Sequence, residues 1–182
     1  MTNVQFDSID DYDDVSAKNM YRLKREEGVS HKEIMEVIWA SGRDNSRTPM
    51  QWSDEINAGF STGNPWIKVN PNYKSINVET QKNDETSILN FYKKMIQLKK
   101  NNQVFTYGTY DLLLAQDPQV YAYTRTLNQE KVLVIANLSI KPAKVKDVNV
   151  EYNNLILGNY DVNEQEATLN LQPYEARVYR IK

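Results

Sequence analysis

The stretch Ser41–Trp52, SGRDNSRTPMQW, decides how the chain is read. Two arginines, Arg43 and Arg47, stand four positions apart on either side of Asp44, after a helix-ending glycine and before a proline and a tryptophan. A planar guanidinium fork takes two oxygens at once, so both arginines suit an anion or a polyol. They suit equally well the tying of a loop through carbonyls and carboxylates, and spacing alone leaves both readings open. Asp44 between them reads as a salt-bridge partner, because a neighbouring guanidinium lowers a carboxylate pKa, the wrong direction for a general acid.

Upstream, residues 8–27 predict one helix, with Ser8 as its cap, aspartates in its first turns, Arg22, Lys24 and Arg25 at its end and Gly28 as its stop. A calcium loop there is disfavoured, since the alternating oxygen ligands and central glycine are missing. Ser30-His31-Lys32-Glu33 has capping-box spacing and predicts a second helix to about Ser41. His31, the one histidine, falls in its first turn and reads as solvated.

Downstream, Asn, Gly, Ser and Pro recur to about residue 83, which predicts turns. An irregular stretch of about 40 residues is uncommon in a compact domain and is usually functional or disordered. Trp52, Phe60, Trp66, Ile67, Val69 and Tyr73 argue for order, as residues that fill a core or line a cleft wall. Residues 86–101 carry a wide apolar stripe at helical spacing, with lysines loading the C-terminal half. From Val104 the period becomes two. Strands are predicted over 104–107, 109–114, 119–126, 131–138, 143–150, 154–158, 167–171 and 176–181, with a hairpin turn at Leu127–Glu130. Short strands at this spacing predict an antiparallel sandwich.

Composition excludes several function classes. The 182 residues carry a formal net charge of −2, so no basic stripe points to nucleic acid or to an anionic membrane surface. No apolar run approaches the ~20 residues of a membrane span. Met1–Asp14 is acidic and lacks an apolar h-region, so no signal peptide is expected there. The absence of cysteine suits a reducing compartment, and a cytoplasmic location is expected. A single histidine leaves no Ser-His-Asp triad, and neither a metal nor a cofactor is expected. Twelve tyrosines and three tryptophans are compatible with sugar binding and with ordinary packing alike.

The motifs in order then show a resemblance. Gly42–Trp52 (GRDNSRTPMQW), Asn57–Thr62 (NAGFST), Pro65-Trp66-Ile67, Val69–Tyr73 (VNPNY) and Ile76-Asn77-Val78 resemble the C-terminal third of α-glucosidases of the α-amylase superfamily. The similarity continues through Tyr107–Leu112, Val134–Ser139 and Pro173–Tyr179, and Met1-Thr2-Asn3 resembles the sequence just after the barrel's last strand. Within the superfamily the motifs look most like bacterial oligo-1,6-glucosidases and dextran glucosidases, with trehalose-6-phosphate hydrolases a near relative.

The resemblance implies an α+β fragment. Residues 1–102 would be the end of a (β/α)8 barrel, meaning the excursion after strand eight and the last barrel helix. Residues 103–182 would be an antiparallel β-sandwich C-terminal domain. It implies a retaining glycoside hydrolase whose nucleophile, acid/base and transition-state carboxylates match no position here, so the chain by itself is expected to be inactive. Arg43 resembles the arginine that holds a hydroxyl of the non-reducing glucose, paired with an acidic residue upstream of this chain. Arg47 would line the neighbouring sugar subsite or brace the loop. The expected partner is an oligosaccharide. The surface that a barrel would cover is expected to drive self-association or to rearrange the front half. A rival reading is a non-catalytic carbohydrate-binding or structural module.

Overall fold

A computed structural model describes residues 2–146, 148, 155–162 and 169–181. These fall into two units, Met1–Leu89 and Asn90–Lys182. In the first, the capping box forms as the spacing predicts: the Ser30 side chain accepts from the Glu33 N–H, and the Glu33 carboxylate accepts from the Ser30 N–H. It starts helix α2, His31–Ser41, whose Ile34, Met35 and Ile38 are buried. Gly28 adopts φ 86°, the left-handed conformation that stops the preceding helix without a Cβ penalty.

That preceding helix is shorter than predicted. Ser8 caps only a 3-10 turn, Ile9–Asp11, and helix α1 runs Val15–Glu26 with Asp14 as its N-cap. The reason is tertiary. The backbone N–H groups of Asp13 and Asp14 donate to the Asp44 carboxylate at 2.7 and 2.9 Å, and Asp14 stays extended. Tyr12, fully buried, packs between α1 and α2 with Val4, Phe6 and Ile67. The long irregular stretch is ordered by 3-10 turns at Arg43–Ser46, Ile56–Gly59 and Pro71–Lys74 and by a short helix α3, Val78–Asn83. Asn57 and Ala58 hold left-handed φ values of 54° and 59° in its tightest turn.

Helix α4, Ile88–Asn101, starts two residues later than predicted, because Asp84 Oδ1 takes the Thr86 N–H and hydroxyl just before it. The predicted strand 104–107 is instead one helical turn, α5, Val104–Tyr107. Its β-type composition is overridden by backbone bonds from Tyr107 N–H to Gln103 and from Gly108 N–H to Val104, and by burial of Val104. Only glycine fits at position 108: a Cβ there would stand 2.5 Å from the Val104 carbonyl and 3.1 Å from the Thr126 backbone.

The strands follow the two-residue period. β1 (Thr109–Leu113), β2 (Val120–Leu127), β3 (Glu130–Asn137), β4 (Ala143–Val145), β5 (Leu155–Gly158), β6 (Leu169–Leu171) and β7 (Ala176–Ile181) make two antiparallel sheets. One has the order β1-β2-β3-β7-β5 and the other pairs β4 with β6. The predicted strand 143–150 ends at Val145; positions 147, 149, 150, 154, 167 and 168 of the predicted strands lie outside the described residues. The apolar run Val132–Ile135 sits in the central strand, as its composition predicts. Leu127 pairs with Glu130 across the hairpin, where Asn128 takes φ 55°. Ala122, Leu133, Ile135 and Tyr179 of the large sheet pack on Val145 and Leu171 of the small one. Inside this core, Glu175 accepts from Arg177 Nε at 2.6 Å, and Arg177 also donates to the Tyr179 hydroxyl and the Asn170 carbonyl. The buried charges are thus paired and hydrogen-bonded, the condition under which burial is tolerated.

The large sheet's other face looks toward α4. A cavity of about 350 Å3 lies there, lined by Phe91, Met95 and Leu98 with Tyr123, Val134 and Val178. No residue of α4 is buried, and Ile88, Tyr92, Met95 and Ile96 are exposed. No helix among the described residues is long and apolar enough to cross a membrane.

Candidate substrate-binding site

The arginine motif follows directly from the end of α2. The Gly42 N–H closes the helix on the Ile38 carbonyl at 2.8 Å, and a Cβ at Gly42 would stand 2.7 Å from that same oxygen. The chain then turns through Arg43–Ser46, and each of the residues Arg43, Asp44 and Asn45 bonds to the N-terminal segment, the first two around Asp14 and the third at Val4.

Arg43 engages Asp14. Its Nε donates to both carboxylate oxygens at 3.1 and 3.2 Å, its Nη2 donates to Oδ1 and to the Ser16 hydroxyl, and its backbone N–H adds a bond to Oδ2. Asp14 also caps α1 through the Ser16 N–H. Asp44 is fully buried. Its Oδ2 takes the Asp13 and Asp14 N–H groups, while its Oδ1 has no hydrogen-bond partner and lies 3.6 Å from Arg47 Nη1. Asn45 accepts from the Val4 N–H and donates to the Trp39 carbonyl. The RDN sequence therefore clasps residues 4–14 to the end of α2.

Both predicted site residues fall on this clasp. Arg43 is about half exposed and its Nη1 has no partner among the described residues, so one edge of the guanidinium faces solvent. Arg47 reaches Asp44 at ion-pair distance only and is also partly exposed. Within the chain, Asp14 holds Arg43. Sequence reading missed that role, treating Asp14 as one of several acids complementing a helix dipole; the usable signal was the Asp-Val-Ser pattern of an N-cap. His31 is exposed yet engaged, its Nε2 donating to the Asp7 carbonyl, which leaves Nδ1 to accept from the Tyr21 hydroxyl at 2.8 Å.

The electrostatics suit binding rather than proton transfer. Hydrogen bonds from Arg43 hold the Asp14 carboxyl well below the usual carboxylate range, against an opposing push from burial. The same contact raises Arg43. A carboxyl held this low stays ionised and cannot serve as a general acid near neutrality. What the site presents is a permanently charged donor, fixed in orientation, with one open edge.

A depressed folded-state pKa means that Asp14 contributes stability above its unfolded value of about 3.9, and that this contribution is lost as pH falls below it. Trp39, Trp52 and Trp66 all lie in the first unit, so tryptophan fluorescence follows its melting. We expect Asp14→Asn to cost about 1.5–3 kcal/mol at pH 7, the range for a hydrogen bond to a charged group. The variant should then lose less than the parent on going to pH 3. Equal acid dependence of the two would show that Asp14 is not a stabilising partner.

Residues 1–108 match the alpha amylase catalytic domain, and residues 120–178 match the alpha-amylase SusG C-terminal domain. The chain is 50% identical to the oligo-1,6-glucosidase of Parageobacillus thermoglucosidasius and 47% identical to that of Bacillus cereus. All of this chain and 34% of each relative are covered. The trehalose-6-phosphate hydrolase structure from Bacillus licheniformis superposes with a TM-score of 0.91 at 42% identity, over 99% of this chain and 34% of that one. The chain thus spans about a third of the length of these relatives. The catalytic-domain match takes in more than half of the chain, the RDN clasp included, and on that ground the chain belongs to the α-amylase family.

Proposed function

We propose that the chain is the C-terminal third of a retaining α-glucosidase that removes terminal glucose from α-1,6-linked oligosaccharides. The observation that carries this reading is the half-open Arg43 guanidinium in a chain 45–50% identical to four oligo-1,6-glucosidases. Trehalose-6-phosphate hydrolases are 38–42% identical, a range that two further oligo-1,6-glucosidases at 40–41% share, so the preference for the glucosidase rests on the four relatives at 45–50%.

In this reading residues 1–102 are the end of the catalytic barrel and 103–182 the C-terminal β domain. Arg43 donates from its open edge to a hydroxyl of the terminal glucose while Asp14 fixes its plane. Arg47 braces the loop through Asp44. The nucleophile that forms the covalent glycosyl intermediate, and the acid that protonates the leaving oxygen, come from sequence outside this chain. A cytoplasmic location is part of the proposal, supported by the cysteine-free composition.

The test is hydrolysis. The 182-residue chain should release no more p-nitrophenol from p-nitrophenyl α-glucoside than buffer does. A longer product of the same gene should cleave isomaltose in preference to trehalose 6-phosphate. In that product Arg43→Leu should lower kcat/KM about tenfold to a hundredfold, the weight of one hydrogen bond to a charged group. Turnover by the chain alone, or an unaffected variant, would overturn the reading.

We also propose that the chain by itself self-associates through the open apolar face of α4, where Ile88 is 82% and Tyr92 60% exposed. Light scattering should give a mass that is a multiple of 21.2 kDa. A monodisperse monomer would contradict this.

A further inference from the structure

Trp52, the last residue of the Ser41–Trp52 motif, has no part in the arginine clasp. Its backbone is nonetheless locked. Its N–H donates to the Ala58 carbonyl at 2.9 Å and its carbonyl accepts from the Glu79 N–H at 3.0 Å. One residue earlier, the Gln51 carbonyl accepts from the Val78 N–H at 2.9 Å. The first residues of α3 are therefore pinned alongside Trp52. Despite this anchoring the indole is half exposed.

The exposed indole forms one wall of a groove of about 410 Å3, whose other walls are Val78, Glu79, Lys82 and Asn83 of α3. Positions 78, 79, 82 and 83 share one helical face, because side chains three and four apart are neighbours. An indole, a carboxylate, an ammonium and a carboxamide thus line one space in the size range of small-molecule sites. The formal charges of Glu79 and Lys82 cancel, which gives no preference for an ionic ligand. A sugar ring matches this set. Its C–H face packs on an indole, and its hydroxyls donate to a carboxylate and accept from an ammonium or an amide.

We propose that the Trp52–α3 groove binds a glucose unit of an oligosaccharide, a second sugar-binding position in addition to Arg43. The choice of an α-linked glucose chain as ligand rests on the function proposed above; the groove's preference for a neutral polyol rests on its own walls. Trp52 supplies the stacking surface, and Glu79 is the acceptor for a hydroxyl.

The experiment is an NMR titration of the full 182-residue chain with isomaltotriose, following the three tryptophan indole N–H signals. Trp52→Phe assigns the relevant one. The Trp52 signal should shift saturably, and those of Trp39 and Trp66 should not. Glu79→Ala, which leaves the aromatic wall in place, should weaken binding at least threefold, and Trp52→Ala should abolish it. No saturable shift, a shift confined to Trp66, or an unchanged affinity in Glu79→Ala would overturn the groove. The two readings fail separately. Hydrolysis of isomaltose by the longer product without a Trp52 response removes the groove and leaves the glucosidase. A Trp52 response without hydrolysis leaves a sugar-binding groove and removes the glucosidase.

Discussion

The first unit depends on one constraint: the buried Asp44 carboxylate must be satisfied. A buried carboxylate is costly unless donors surround it. Here the backbone N–H groups of Asp13 and Asp14 both donate to Oδ2, while Oδ1 has no hydrogen bond and only the Arg47 guanidinium at 3.6 Å beside it. Meeting that demand draws the N-terminal segment against the end of α2 and stops α1 from beginning before Val15. It also delivers Asp14 to Arg43. The orientation of the exposed arginine is therefore a consequence of how the buried carboxylate of the next residue finds its hydrogen bonds.

The second unit rests on different physics. Its sheets are held by interdigitated apolar side chains from β2, β3 and β7 against β4 and β6, with the Glu175–Arg177 pair enclosed among them. Such an enclosed pair adds little net stability but is expensive to break by removing one partner. The first unit thus adds polar interlocking around Arg43 and Asp44 to its own apolar cluster, while the second relies on apolar layering around one enclosed ion pair.

Much of this was legible in the sequence, and the reasons are local. The Ser30–Glu33 box starts α2 because both partners lie within one helical turn. The strands after Thr109 follow because alternation is a property of adjacent residues. What was not legible depends on residues far apart. The helix predicted from Ser8 begins at Val15 because Asp44, some thirty positions on, takes its first N–H groups. Residues Val104–Tyr107 have strand composition yet form a helical turn, because Val104 is buried and Gly108 must pass close to Thr126. Arg43 was identified as a site residue from the resemblance, not from chemistry, since the spacing of two arginines fitted a brace as well as a ligand. The structure shows Arg43 already braced, with an edge to spare.

The central claim is that the RDN motif clasps the N-terminal segment and thereby fixes Arg43. Amide hydrogen exchange at Val4, Asp13 and Asp14 tests it most directly, because those three N–H groups donate to Asn45 and Asp44 side chains and to no helix. Exchange should be slow at all three in the parent chain, and Asp44→Ala should accelerate it at Asp13 and Asp14, with Val4 less affected. Exchange at open-chain rates in the parent would mean that the clasp does not hold in solution, and the fixed orientation of Arg43 would fall with it.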